Sequence, residues 1–126
     1  MKFRSPLVRA KGLGAAKSGV DHWLAQRVAA VALVPLVIWF VIGLIGQVGA
    51  DYESVKAWVG RPVNAVLLIL LLGTMFHHAQ LGMQVIYEDY IHTNWLKIAS
   101  IYLTKFAAYL LAVGASFAVL KVALGG

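Results

Sequence analysis

The sequence contains no cysteine. That absence excludes disulfides, a thiolate nucleophile, an iron–sulfur cluster and a cysteine zinc site on this chain. Any redox chemistry here requires a bound cofactor. Charge is scarce as well: Asp, Glu, Lys and Arg make up 13% of the residues, about half the share usual in soluble domains. A soluble domain of 126 residues leaves much of its surface in water and needs polar side chains to cover it. This chain has too few. The formal net charge is +6, from eleven basic and five acidic residues, but it is not spread as nucleic-acid binding would require. Six of the eleven (Lys2, Arg4, Arg9, Lys11, Lys17, Arg27) fall in the first 27 residues, just before a long apolar run. That placement reads as a membrane-topology signal, with no nucleic acid as partner.

What is present is hydrophobic sequence, 61% of the chain, arranged in blocks long enough to cross a lipid bilayer. The length allows a single domain, 1–126. The expected fold class is all-α integral membrane, with three transmembrane helices over about 23–49, 63–87 and 102–120. The basic residues before the first block run too long for a cleaved signal, so the first helix is expected to stay in the membrane. Residues 1–22 are expected as a cytoplasmic segment, with Ser18 or Asp21 as N-cap and Trp23 at interface depth.

Pro35 lies inside helix 1, which lipid-embedded helices tolerate. Residues 51–62 form a polar connection expected to hold a short interfacial helix around Ser54–Val59, and Pro62 suits the start of the next helix. In helix 3, Gly114 and Ser116 offer small side chains for close packing, and Lys105 and Lys121 reach toward the interfaces. With the N-terminus inside, eight basic residues lie on the cytoplasmic side and three (Lys56, Arg61, Lys121) on the other. The expected topology is therefore N-terminus cytoplasmic and C-terminus periplasmic.

The second half of helix 2 carries the chemistry. A histidine within an apolar helix is costly unless it faces a partner. His78 has Gly82 four residues on, on the same face; a glycine there lets a flat macrocycle approach the backbone. Imidazole is an axial ligand for haem iron. A hydrogen bond from His78 to another helix is the other reading of the same residue. His77 points about 100° away, toward Gln80, Gln84 and Glu88, and is read as a packing or hydrogen-bonding residue. Asp89 lies eleven residues after His78, nearly in phase with it, and Tyr90 follows. A tyrosine hydroxyl donates well to a quinone carbonyl, and a neighbouring carboxylate orients or relays a proton; the same pair also reads as an ordinary interfacial helix end. Arg27 opens the apolar part of helix 1, as a partner for carboxylates or as a basic residue at the interface.

Together these residues form a pattern. The block His78-Ala79-Gln80-Leu81-Gly82-Met83-Gln84-Val85-Ile86-Tyr87-Glu88-Asp89-Tyr90 resembles the H-x-x-x-G-x-x-x-x-x-x-D-Y signature of the small cytochrome b membrane anchor of bacterial succinate dehydrogenase, complex II. Upstream, Ser18-Gly19 through His22-Trp23 and Gln26-Arg27-Val28-Ala29-Ala30 is similar to that anchor's approach to helix 1. The large sister anchor's signatures, Ser-Pro-His-Leu and Arg-His-x-x-Trp-Asp, are absent.

The resemblance implies His78 as an axial ligand of haem b, shared with a sister cytochrome b anchor subunit, and Gly82 against the haem. It implies Arg27 near the haem propionates and quinone, and Tyr90 with Asp89 at ubiquinone. It implies an inner-membrane subunit of succinate:ubiquinone oxidoreductase, in the tricarboxylic acid cycle and electron transport, with no succinate site of its own. Iron–sulfur and flavoprotein subunits would dock on its cytoplasmic face. The anchor of a quinol:fumarate reductase and a haem-free structural membrane subunit are the alternatives. His22, His77 and His92 receive no role.

Overall fold

A computed structural model describes residues 16–126; the expected basic cytoplasmic segment lies outside them as far as residue 15, as does the side chain of His22. Four helices follow: α1 (Ala16–Gly46), α2 (Tyr52–Gly60), α3 (Pro62–Tyr90) and α4 (Asn94–Ala123). Three are long and apolar enough to cross a membrane, over Trp23–Gly46, Pro62–Tyr90 and Asn94–Ala123. The protein is an all-α integral membrane protein.

The helix boundaries have local causes. α1 is already helical at Ala16, the first described residue and upstream of both Ser18 and Asp21, so neither is its N-cap. It ends at Gly46, three residues short of the expected end. Gln47 and Val48 donate backbone bonds to Leu44 and Ile45 (3.0 and 3.1 Å), tightening the last turn, and Gly49 turns the chain at φ +82°. Only glycine adopts that conformation without strain.

The interfacial helix is present as α2. Asp51 caps it, accepting a hydrogen bond from the Ser54 backbone N–H at 2.8 Å. The Ser54 hydroxyl, together with that N–H, holds the Asp51 carboxyl below its usual range, so the charged cap is present above the ordinary carboxylate range and lost only as pH falls below it. Arg61 alone separates α2 from α3, and Pro62 takes the first helical position. There its missing N–H costs nothing. Asn64 Nδ2 donates to the Trp58 carbonyl across this joint at 2.8 Å.

α4 begins at Asn94, eight residues before the expected 102. Trp95 to Ile101 continue the helix without a breaker, although they are less apolar than the block that follows.

α3 is the centre of the bundle. α4 packs along it most extensively, α1 packs on it, and α2 rests against α3 and α4. Of the three spans α3 is the most buried, 22% of its apolar window against 6% for each of the others. Its buried residues Ala65, Leu68 and Leu71 recur every three residues and form one stripe. Ala29 of α1 and Ala108 of α4 are the small buried residues on the outer helices, which suits close approach in lipid. Gly114, expected in that role, is exposed, and a Cβ there meets nothing within 4 Å.

Candidate functional site

The continuity of α3 as one helix from Pro62 to Tyr90 places every signature residue on a single rod. His78 is half-buried, and its Nδ1 is shut off from solvent without a hydrogen-bond partner. That leaves Nε2 as the ring nitrogen for a ligand. One turn on, no described residue beyond the helix's own backbone comes within 4 Å of where a Cβ on Gly82 would stand. The pair therefore offers an imidazole beside an open stretch of backbone.

Asp89 and Tyr90 close the helix and are both exposed, Tyr90 at 77%, with Ile91 as C-cap. The rise from His78 to Tyr90 is about 18 Å. Just before them, Tyr87 and Thr104 share a hydrogen bond at 2.9 Å that ties α3 to α4. Gln84 Nε2 donates to Glu88 Oε1 at 3.0 Å, one turn apart on the surface.

Arg27 is exposed and its guanidinium lies 5.3 Å from the centre of the Trp23 ring. It lines a shallow groove with Val28, Val31 and Ala32, all of α1. Among the described residues, that groove does not include His78.

His77 is placed differently from His78. It lines a cleft of about 610 Å³ between α1 and α3, walled by Leu24, Val28, Ala29 and Ala32 on one side and by Gly73 and Thr74 on the other. It also lines an adjoining cleft of about 410 Å³ with Asp21, Gln80, Lys105 and Tyr109. Of the polar residues grouped with His77 in the sequence, Gln80 thus faces helices of its own chain with it, whereas Glu88 is exposed. Asp21 and Lys105 were not visible as members of this group, because nothing in local spacing relates residues 21, 77 and 105.

Likeness to known proteins assigns the family. The family model described as succinate dehydrogenase/fumarate reductase transmembrane subunit matches residues 1–116. The chain belongs to this family. It is 40% identical over 95 residues to a succinate dehydrogenase hydrophobic membrane anchor subunit of Rickettsia bellii (strain RML369-C), covering 75% of this chain and 76% of the relative. A protein of the same description from Paracoccus denitrificans is 31% identical over 125 residues, 99% of this chain and 96% of the relative. The succinate dehydrogenase membrane anchor subunit of Reclinomonas americana is 30% identical over 95 residues, 73% of this chain and 79% of the relative. No solved structure matches the chain. Family membership makes this a membrane-anchor subunit, part of an oxidoreductase complex and associated with its catalytic subunits.

Proposed function

We propose that this chain is the small anchor of a succinate:ubiquinone oxidoreductase, that His78 holds haem b, and that Tyr90 binds ubiquinone. The observation that carries the reading is the pairing of His78 with Gly82. A half-buried imidazole with one enclosed nitrogen sits beside a glycine at which no other described part of the chain meets an added Cβ. A single protein ligand with open space along its face suits a metal whose other ligands come from elsewhere. Haem b, when bound, would supply a one-electron carrier, held by His78 here and by a residue of a sister anchor subunit. Arg27, exposed at the start of the apolar part of α1, pairs with a propionate carboxylate.

At the end of α3 the exposed Tyr90 hydroxyl donates a hydrogen bond to a quinone carbonyl, and Asp89 beside it orients or relays a proton to the reduced oxygen. Iron–sulfur and flavoprotein subunits dock on this face, and the basic-residue imbalance favours a cytoplasmic location for it. The relatives' names favour succinate oxidation over fumarate reduction.

The test is haem content. In the purified complex His78→Ala is expected to lose the Soret band while His77→Ala keeps it, because His77 faces α1 and α4 instead. Equal loss in the two variants overturns the assignment of His78, and a wild-type complex without a Soret band overturns the haem.

A further inference from the structure

The ring of His78 has a second nitrogen that ligation leaves without a role. A neutral imidazole that binds iron through Nε2 carries its proton on Nδ1. That Nδ1 is enclosed and has no hydrogen-bond partner among the described residues. An enclosed N–H without an acceptor is costly, so the position calls for one. The direction of the side chain limits where the acceptor stands. A long side chain on a helix leans toward the N-terminus and covers the turn before its own Cα. The imidazole of His78 therefore lies over the turn of Thr74, four residues back, while Gly82 puts no side chain over its other edge. The backbone carbonyl of Thr74 is already engaged by the helix's own bond from the His78 backbone N–H. On that turn the Thr74 hydroxyl is the only side-chain oxygen, since Gly73, Met75 and Phe76 carry none.

Thr74 is half-buried and borders the cleft between α1 and α3 beside His77. Around the helix it stands between the two histidines, about 60° from His77 and about 40° from His78. Threonine in a helix divides between two χ1 rotamers, so one rotation about its Cα–Cβ bond turns Oγ1 toward His78. The hydroxyl hydrogen is then left for the carbonyl of Leu70, one turn further back, as helical threonines commonly bond. Accepting from the ring therefore orphans no donor. We propose that Thr74 is a positioning residue for the haem ligand, its Oγ1 accepting a hydrogen bond from His78 Nδ1–H. That bond fixes the plane and the tautomer of the ring and makes Nε2 a stronger donor to iron. The proposal rests on the reading of His78 as the axial ligand. Thr74, His78 and Gly82 then form one line at four-residue spacing: acceptor, ligand and open backbone.

The test uses the purified complex and three variants of one residue. Thr74→Val removes the acceptor and keeps the shape, Thr74→Ala removes it with the methyl group, and Thr74→Ser keeps the hydroxyl. A more strongly donating imidazole favours ferric haem, so losing the bond should raise the midpoint potential of the haem. Thr74→Val and Thr74→Ala are expected to raise it, to shift the electron paramagnetic resonance of the oxidised haem, and to speed haem loss to a haem-scavenging protein. The faster loss should be about tenfold or more, the usual effect of removing a hydrogen-bond partner behind a metal ligand. Thr74→Ser should match the wild type in all three measurements. A wild-type potential and spectrum in Thr74→Val overturn the proposal. Equal shifts in Thr74→Val and Thr74→Ser overturn it too, because the cause would then be packing. His78→Ala keeps the two readings apart. Loss of its Soret band beside an unchanged Thr74→Val removes Thr74 alone, whereas a Soret band kept in His78→Ala removes the ligand and with it the proposal.

Discussion

Trp39 of α1 and Trp58 of α2 stack with ring centres 5.9 Å apart and planes inclined by 15°. The indole of Trp58 fills the space left by a glycine: a Cβ on Gly43 would stand 2.5 Å from its Cζ2. Trp58 is also the residue whose carbonyl accepts from Asn64. One side chain and one carbonyl thus bind α1, α2 and the start of α3 together. Stacked aromatic pairs contribute about 0.5–1.5 kcal/mol beyond their burial. Gly43→Val is expected to displace the Trp58 ring and lower the unfolding midpoint of the purified complex, with haem content at 25 °C unchanged. Trp58→Ala should lower it similarly, and the double variant should cost no more than Trp58→Ala alone. Additive losses would show that Gly43 acts elsewhere.

Gly82 gives a sharper test, because a Cβ there meets nothing within 4 Å among the described residues outside its own helix backbone. Gly82→Leu is therefore expected to leave the chain's insertion and its helix content unchanged. Haem retention should nevertheless fall, because the leucine occupies the face proposed for the macrocycle. Haem content and helix-band circular dichroism, measured on one preparation, check both halves. Normal haem content in Gly82→Leu would place the macrocycle against another part of α3.

Tyr90 separates quinone binding from haem binding. Tyr90→Phe removes one hydroxyl and keeps the ring. Losing a hydrogen bond to a neutral group costs about 0.5–1.5 kcal/mol, more if the partner is left unsatisfied. Ubiquinone reductase activity should fall by about threefold to a hundredfold, since each 1.4 kcal/mol is about tenfold. Haem content should persist, because His78 lies about 18 Å back along the helix. Succinate oxidation with an artificial acceptor upstream of the membrane should persist too. Full quinone reductase activity in Tyr90→Phe would reduce Tyr90 to an interfacial anchor.

Topology is open to a direct measurement. A protease-sensitive tag after Gly126 is expected to be cut from the periplasmic side only, given eight basic residues against three. Cleavage from the cytoplasm would put Asp89 and Tyr90 on the opposite face from the docked subunits.

The spans were legible in the sequence because lipid imposes a length and a hydropathy on each. Pro62 marked a real helix start, since it acts on its own neighbours. Asp21 and Ser18 did not, because a capping residue is indistinguishable from an interior one when good helix formers precede it. The pairing of His78 with Gly82 could be read from a one-turn spacing. The stack of Trp39 on Trp58 could not, because it depends on how the 51–61 connection folds back. The same holds for Lys105, read as a residue reaching for the interface: it is half-buried, 5.9 Å from the Tyr102 ring, and lines the cleft with Asp21.

The link between α3 and α4 is only residues 91–93, and this has a consequence for biogenesis. A connection that short holds the start of α4 beside the end of α3 once both lie in the bilayer. α3 and α4 therefore form a helical hairpin that needs no partner subunit to bring its arms together, whereas α1 is held to α3 by the longer 47–61 connection. The Tyr87–Thr104 bond at 2.9 Å lies near the closed end of that hairpin, within this chain, and needs no partner to form. Asp89 and Tyr90 therefore sit on a preformed turn when the newly made chain meets its first partner, and assembly begins from a corner whose shape is already set.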